Sequence, residues 1–164
     1  MVEFVEDDPA RAAPVRTASD GRTPWHLWAL GIVSLLWNAF GANDYLQTQL
    51  GNLAYFETML AGSDVAPAQA MAYFQSFPAG VMGSWALGVW GAVAGSILLL
   101  LRTRFAVWAF AASLIGLGVN TLYQVLTPQP DWIDSSTPMT IVIWSIATFL
   151  LIYAISMRGK GVLR

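Results

Sequence analysis

Six polar or aromatic residues that lie in or beside long apolar stretches are the best candidates for ligand contacts. They are Asn38, Asp44, Tyr45, Trp85, Asn120 and Gln124. Amides donate and accept hydrogen bonds, and indole rings offer a flat apolar face, so an outward-opening cleft with these residues would suit a neutral polar solute. A simpler interpretation is that Asn38 and Asn120 bond each other, or neighbouring backbone, and hold helices together with about 1 kcal/mol.

The sequence lacks the residue combinations that are typical of enzymes and metal centres. It contains no cysteine, and His26 is its only histidine, so thiolate chemistry and a bis-histidine haem within one chain are excluded. No acid or base lies in the middle of an apolar stretch, which weighs against a proton-coupled pump. We therefore expect no enzymatic activity, no metal site and no cofactor.

Four long uncharged stretches dominate the chain, which is 56% hydrophobic and only 11% charged. About 20 apolar residues cross a hydrocarbon core of ~30 Å. The predicted spans are residues 25–42, 78–101, 105–126 and 139–157. We predict an all-α integral membrane protein, with residues 1–24 as a disordered cytoplasmic tail and residues 158–164 as a second tail.

The first apolar stretch also fits another interpretation. Basic residues before it, and the small residues Ala39 and Gly41 near its end, resemble a cleavable signal peptide. However, such a leader would be long and unusually acidic, and Trp25, Trp28 and Trp37 suit a helix anchored at membrane interfaces. We therefore predict a retained span, with cleavage as the alternative.

The distribution of charge predicts the orientation in the membrane. All eight Lys and Arg residues lie in the N-terminal tail, at Arg102 and Arg104, or in the C-terminal tail, whereas residues 43–77 and 127–138 carry only acidic charges. Lys and Arg concentrate on the cytoplasmic side of membranes. We therefore predict a bacterial inner-membrane protein with both termini in the cytoplasm and residues 43–77 as a periplasmic loop with short amphipathic helices.

Small and polar residues recur at helical spacing in every predicted span. In the second span, Gly88, Gly91 and Gly95 would let a neighbouring helix backbone approach closely. In the fourth span the corresponding residues are Ser145, Thr148 and Ser156. Turning all of these faces inward predicts a four-helix bundle.

Two segments carry a resemblance to a known family. Residues 34–45 (SLLWNAFGANDY) and residues 85–96 (WALGVWGAVAGS), which precede Leu-Leu-Leu-Leu-Arg, resemble small, uncharacterised four-span inner-membrane proteins of alphaproteobacteria. Those proteins often carry an automatic "sugar transporter" label. The resemblance covers the first three spans well and the fourth weakly. It implies the same topology and compartment, and no particular binding residues.

Two functional hypotheses follow. A non-enzymatic structural or accessory subunit of a membrane assembly is favoured by the glycine-rich second span and by an aromatic-rich outer loop that could dock a membrane-protein partner. The alternative is a transporter of a small neutral, sugar-like solute, working as a homo-oligomer because one bundle leaves little room for a pathway. The lipid bilayer is the expected environment, and the net charge of −2 gives no basic face for nucleic acid.

Overall fold

The computed structural model describes residues 23–133 and 138–164, which form six α-helices and no strand. The helices are α1 (Trp25–Gln49), α2 (Leu53–Met59), α3 (Pro67–Gln75), α4 (Ala79–Leu100), α5 (Ala106–Leu126) and α6 (Pro138–Gly159). The predicted disordered tail lies almost wholly outside the described residues. The all-helical prediction is therefore confirmed for the part of the chain that the structure describes.

Three of these helices are long and apolar enough to cross a membrane. Helices α4, α5 and α6 contain 18-residue windows with mean hydropathies of 1.6, 1.5 and 2.1. Only 17%, 28% and 11% of the residues in these windows are buried within the protein. Apolar helices with so much exposed surface are typical of membrane proteins, because lipid takes the place of water around them.

Helix α1 does not meet the same hydropathy criterion. At 25 residues it is nevertheless about 37 Å long, which exceeds the ~30 Å of a hydrocarbon core. Its three tryptophans and Asn38 reduce its mean hydropathy, although tryptophan favours membrane interfaces. Its exposed side chains include Ile32, Leu36 and Phe40. The described residues therefore contain three candidate spans and a fourth helix of sufficient length.

Helix α1 continues seven residues beyond the predicted end of the first span at residue 42. The helix ends just before Gly51, which adopts a φ of +64° that most other residues avoid. Asn52 then caps α2, because its side-chain oxygen accepts a hydrogen bond from Tyr55 N over 3.3 Å. Asp44 and Tyr45 therefore lie on a helix rather than in the loop that the sequence predicted for residues 43–77.

Helix α4 lies at the centre of the bundle, with α1 on one side and α5 on the other, and α6 packs against α5. The three predicted packing glycines all lie where α4 meets α5. A Cβ atom on Gly91 would lie 3.1 Å from Ser113 N, and one on Gly95 would lie 2.6 Å from the Phe110 ring. A Cβ on Gly88 would make an ordinary 3.5 Å contact with the α5 backbone. These small residues allow the close approach that the sequence predicted.

Helix α6 turns a different face inward from the predicted one. Ser145, Thr148 and Ser156 are exposed, whereas Leu150 and Ala154 are buried. Ser145 Oγ instead donates to a carbonyl oxygen of its own helix over 2.7 Å. The predicted inward orientation of these three polar residues was wrong, because α6 packs mainly on α5 through apolar side chains.

The two ends of the bundle differ in charge. At one end, here called the basic end, lie all the described cationic residues, Arg102, Arg104, Arg158, Lys160 and Arg164. The C-terminal segment lies along the α4–α5 turn. The N–H of Arg164 donates to Arg102 O, and the carbonyl of Arg164 accepts from Arg104 N. At the opposite end, here called the loop end, lie α2 and α3.

Candidate functional site

A cavity of about 520 Å³ extends from the loop end into the bundle as far as Asn38, Phe110 and Leu150. It forms because α1 and α6 come together near the basic end but have no extensive packing contact farther along. At the basic end His26 Nδ1 and Tyr153 Oη lie 2.5 Å apart, and Leu27 and Met157 are fully buried. The volume lies within the range of about 300–1,000 Å³ that is usual for small-molecule sites.

All four long helices meet the cavity at one level. The rings of Tyr45 on α1 and Trp85 on α4 pack edge to face with centroids 5.2 Å apart. Next to Trp85, Gly116 of α5 packs directly on the α4 backbone. Trp144 Nε1 of α6 donates to Thr121 Oγ1 of α5 over 3.2 Å. These contacts fix the register that brings the candidate residues together.

Five of the six predicted ligand-binding residues line this cavity. They are Asn38, Asp44, Trp85, Asn120 and Gln124. The sixth, Tyr45, is not part of the wall and instead packs against the Trp85 ring. The structure therefore gathers residues that are as much as 86 positions apart in the sequence into one site.

Asn38 makes a helix-packing contact at the inner end of the cavity. Its Nδ2 donates to Ala92 O over 3.3 Å and to Ser96 Oγ over 3.0 Å. Ala92 lies seven residues from Trp85 along α4, which corresponds to about 10 Å. Asn38, which bonds Ala92, is therefore about 10 Å farther from the loop end than the contact between Tyr45 and Trp85. Asn38 and Asn120 do not bond each other, and Asn38 instead bonds the neighbouring α4 backbone, as the simpler interpretation allowed.

Asn120 differs from Asn38 because part of its amide has no partner. Its Oδ1 accepts a hydrogen bond from Gln124 Nε2 over 2.5 Å. The side chain is 9% exposed, and its Nδ2 has no hydrogen-bond partner among the described residues. Exchanging O and N in both amides would keep their mutual bond and leave the oxygen of Asn120 unpaired instead. An unpaired buried amide lowers the free energy of unfolding by about 1–3 kcal/mol. The protein therefore keeps this amide at a cost in stability.

Aromatic side chains form much of the remaining wall. They are Trp37, Phe40, Phe74, Phe77, Trp85, Phe110 and Trp144. Phe74 of α3 and Phe77, just after it, bring the connection between α1 and α4 to the mouth of the cavity, and the Phe74 and Trp85 rings lie 6.1 Å apart. The sequence analysis missed these two residues as candidates for the site. The signal that could have found them is the run of aromatic residues at the end of α3.

Among the described residues, Asp44 is the only charged one in the wall. Its Oδ1 accepts a hydrogen bond from the Tyr55 hydroxyl over 3.2 Å. A carboxylate partly removed from water therefore lies at the loop end of an otherwise uncharged cavity.

Comparisons with known proteins assign no family to this chain. No protein-family model, curated protein or solved structure matches it significantly. The resemblance to small four-span inner-membrane proteins therefore stays a prediction. The case for a function rests on the sequence pattern and on the geometry of the cavity.

Proposed function

We propose that this chain is a four-span inner-membrane protein that binds a small organic solute in the cavity between its helices and carries it across the membrane. The observation that supports this proposal is the cavity of about 520 Å³ with the unpaired Asn120 amide in its wall. In this proposal both termini lie in the cytoplasm and the loop end faces the periplasm.

The course of α1 supports its role as the fourth span. Near the basic end a Cβ on Gly31 would contact Leu100 at the end of α4, and near the loop end Tyr45 packs on Trp85. Helix α1 thus runs beside α4 over most of the length of that candidate span. The separation of charge supports the orientation, because the described cations lie at the basic end and Lys and Arg concentrate in the cytoplasm.

The composition of the wall indicates a solute with a large apolar part. Twenty of the 27 residues that line the cavity are apolar or glycine, and the polar remainder includes the amides of Asn120 and Gln124. A sugar presents a hydroxyl on almost every carbon, and each hydroxyl without a hydrogen-bond partner costs free energy on burial. The geometry therefore favours an amphipathic solute over the sugar-like one that the sequence suggested.

Native mass spectrometry of the protein, extracted gently from its own membrane, tests the proposal. We expect the wild type to retain a small-molecule adduct. Ala147→Phe, which places a ring in the cavity wall, should lose the adduct. Ala29→Phe, at an exposed position of α1, should keep it. An adduct that survives Ala147→Phe would show that the solute binds elsewhere.

The same spectra test the accessory-subunit hypothesis, which one observation favours. Side chains on one side of α1, including Ile32, Val33, Leu36 and Phe40, are exposed and apolar and could contact a partner helix as well as lipid. A stable complex with another protein, without any small-molecule adduct, would support this alternative. A homo-oligomer that retains an adduct would support the carrier.

A further inference from the structure

Charge is distributed unevenly around the cavity. Apart from Asp44, the described wall contains no residue with a charged side chain and no histidine. The charged residues described at the loop end are all acidic: Asp44, Glu57, Asp64 and Asp131. The described cations lie at the basic end, about 33 Å away along α4. The described charges nearest the cavity mouth are therefore all negative.

Resting on the function proposed above, we propose that the solute is a lipophilic organic monocation. Quaternary ammonium ions and protonated amines with aromatic or aliphatic substituents belong to this class. The carboxylate of Asp44 pairs with the positive charge, and the apolar substituents lie against the aromatic wall. The pairing with Asp44 defines the chemical class of the solute. The amides in the cavity wall alone do not define it.

Asp44 has no cationic partner among the described residues. The structure gives its side chain one hydrogen bond, from Tyr55, and no ion pair. A carboxylate that is partly removed from water loses hydration, and a cation brought to it restores favourable electrostatics. A neutral solute would leave this charge uncompensated.

Aromatic rings form much of the wall of the cavity that Asp44 borders. Trp37 of α1, Trp85 of α4 and Trp144 of α6 reach the wall from three directions. The faces of indole rings attract cations because of the negative electrostatic potential above the ring. Phe74 and Phe77 add apolar surface at the mouth. Carboxylate and aromatic rings together favour a bulky, weakly hydrated cation over a metal ion, which prefers several oxygen ligands.

Two probes of equal shape and different charge test the proposal. Benzyltrimethylammonium carries one positive charge, and neopentylbenzene is its isostere with carbon in place of nitrogen. Binding to the full chain in lipid nanodiscs is followed by tryptophan fluorescence, with protein-free nanodiscs as the reference for partition into lipid. We expect the cation to bind at least tenfold more tightly than the isostere.

Substitutions test whether the preference for the cation over neopentylbenzene depends on the carboxylate of Asp44. Asp44→Asn should lower the affinity for the cation at least tenfold and leave the affinity for neopentylbenzene unchanged. Asp44→Glu should retain most of the preference for the cation. It is also the control for a folding defect that any substitution at this position would cause. Glu57→Gln removes a loop-end carboxylate outside the cavity wall, so it should change neither affinity.

The outcomes separate this inference from the function on which it rests. If neopentylbenzene binds the wild type as tightly as the cation does, the cation proposal is wrong and the solute cavity stands. If Asp44→Asn leaves the affinity for the cation unchanged, the proposal is likewise wrong. If neither probe binds, the proposed function falls together with the inference.

Discussion

Gln124 Nε2 donates to Asn120 Oδ1 one helical turn away on α5, and this bond leaves the amide nitrogen of Asn120 buried without a partner among the described residues. Asn38 shows the opposite arrangement, because its amide nitrogen donates to both Ala92 O and Ser96 Oγ. Both asparagines line the same cavity. The sequence treated them as equivalent, whereas the structure makes one a packing contact and the other a candidate for binding.

This difference predicts opposite effects of the same substitution. Asn120→Leu removes an unpaired polar group and should raise the free energy of unfolding by about 1 kcal/mol, since the loss of the Gln124 bond offsets part of the gain. Asn38→Leu removes paired contacts between α1 and α4 and should lower it by about 1 kcal/mol. Thermal unfolding in detergent, followed by tryptophan fluorescence, measures both.

The comparison also tests the functional assignment. Asn120→Leu should lose the retained adduct while it gains stability, which is the pattern expected where a binding group is kept at a cost. If Asn120→Leu destabilises the protein as much as Asn38→Leu does, both amides have packing roles. The cavity would then lose the feature that most clearly points to a solute.

A second prediction concerns the contact between α4 and α5. A Cβ atom on Gly116 would lie 2.5 Å from Ser84 O and 2.6 Å from Gly88 N, and backbone atoms cannot move aside as a flexible side chain can. We expect Gly116→Ala to lower the free energy of unfolding by about 2 kcal/mol, within the range for overpacked sites. Denaturation of the purified protein in mixed micelles measures it.

The matched control lies on α4. A Cβ on Gly83 would meet nothing within 4 Å, so Gly83→Ala should be neutral or should stabilise the helix by about 0.5–1 kcal/mol. If the two alanine variants have equal stability, helices α4 and α5 do not approach each other as closely as described.

The third prediction concerns the charge of Asp44. This carboxylate is partly removed from water, and its side chain has one hydrogen bond, from Tyr55. A buried charge without a cationic partner lowers the free energy of unfolding. Asp44→Asn should therefore unfold at a higher temperature than wild type at pH 7.

Asp64→Asn, at an exposed position between α2 and α3, is the control and should show little difference from wild type. Equal unfolding temperatures for Asp44→Asn and wild type would contradict this explanation.

The fourth prediction concerns the number of spans and uses the absence of natural cysteines from the chain. Single cysteines replace Thr23, Ser63 and Lys160, and intact spheroplasts are treated with a membrane-impermeant maleimide. Four spans with the loop end in the periplasm predict labelling at position 63 alone. Labelling at both 23 and 63 would mean that α1 does not cross the membrane.

Features that depend on local composition could be predicted from the sequence. The apolar length of α4, α5 and α6 is visible in any 18-residue window, and the spacing of Gly91 and Gly95 indicates a close helix contact. Polar residues within long apolar stretches are rare, so Asn120 was recognisable as a wall residue. Each of these signals lies within one helix.

Features that depend on contacts between distant segments could not be predicted in the same way. The extension of α1 that places Asp44 in the wall, and the seating of Phe77 beside the Tyr123 ring, involve residues far apart in the chain. The inward face of α6 follows mainly from its packing on α5. Its small polar residues Ser145 and Thr148 predicted that this face turns inward, whereas both residues are exposed.

The attachment of α6 has a mechanical consequence. Near the basic end this helix meets α1 through Tyr153 and His26, and the segment after it is anchored by the buried Leu163 and by Arg164 on the α4–α5 turn. Its other end borders the cavity, where Trp144 Nε1 donates to Thr121 Oγ1 of α5. The part of α6 from Pro138 to Tyr153 is about 22 Å long, and a rotation of about 10° about the Tyr153 contact would displace Pro138 by about 4 Å. A small rotation of α6 near the basic end would therefore produce a larger change in the width of the cavity that Trp144 borders.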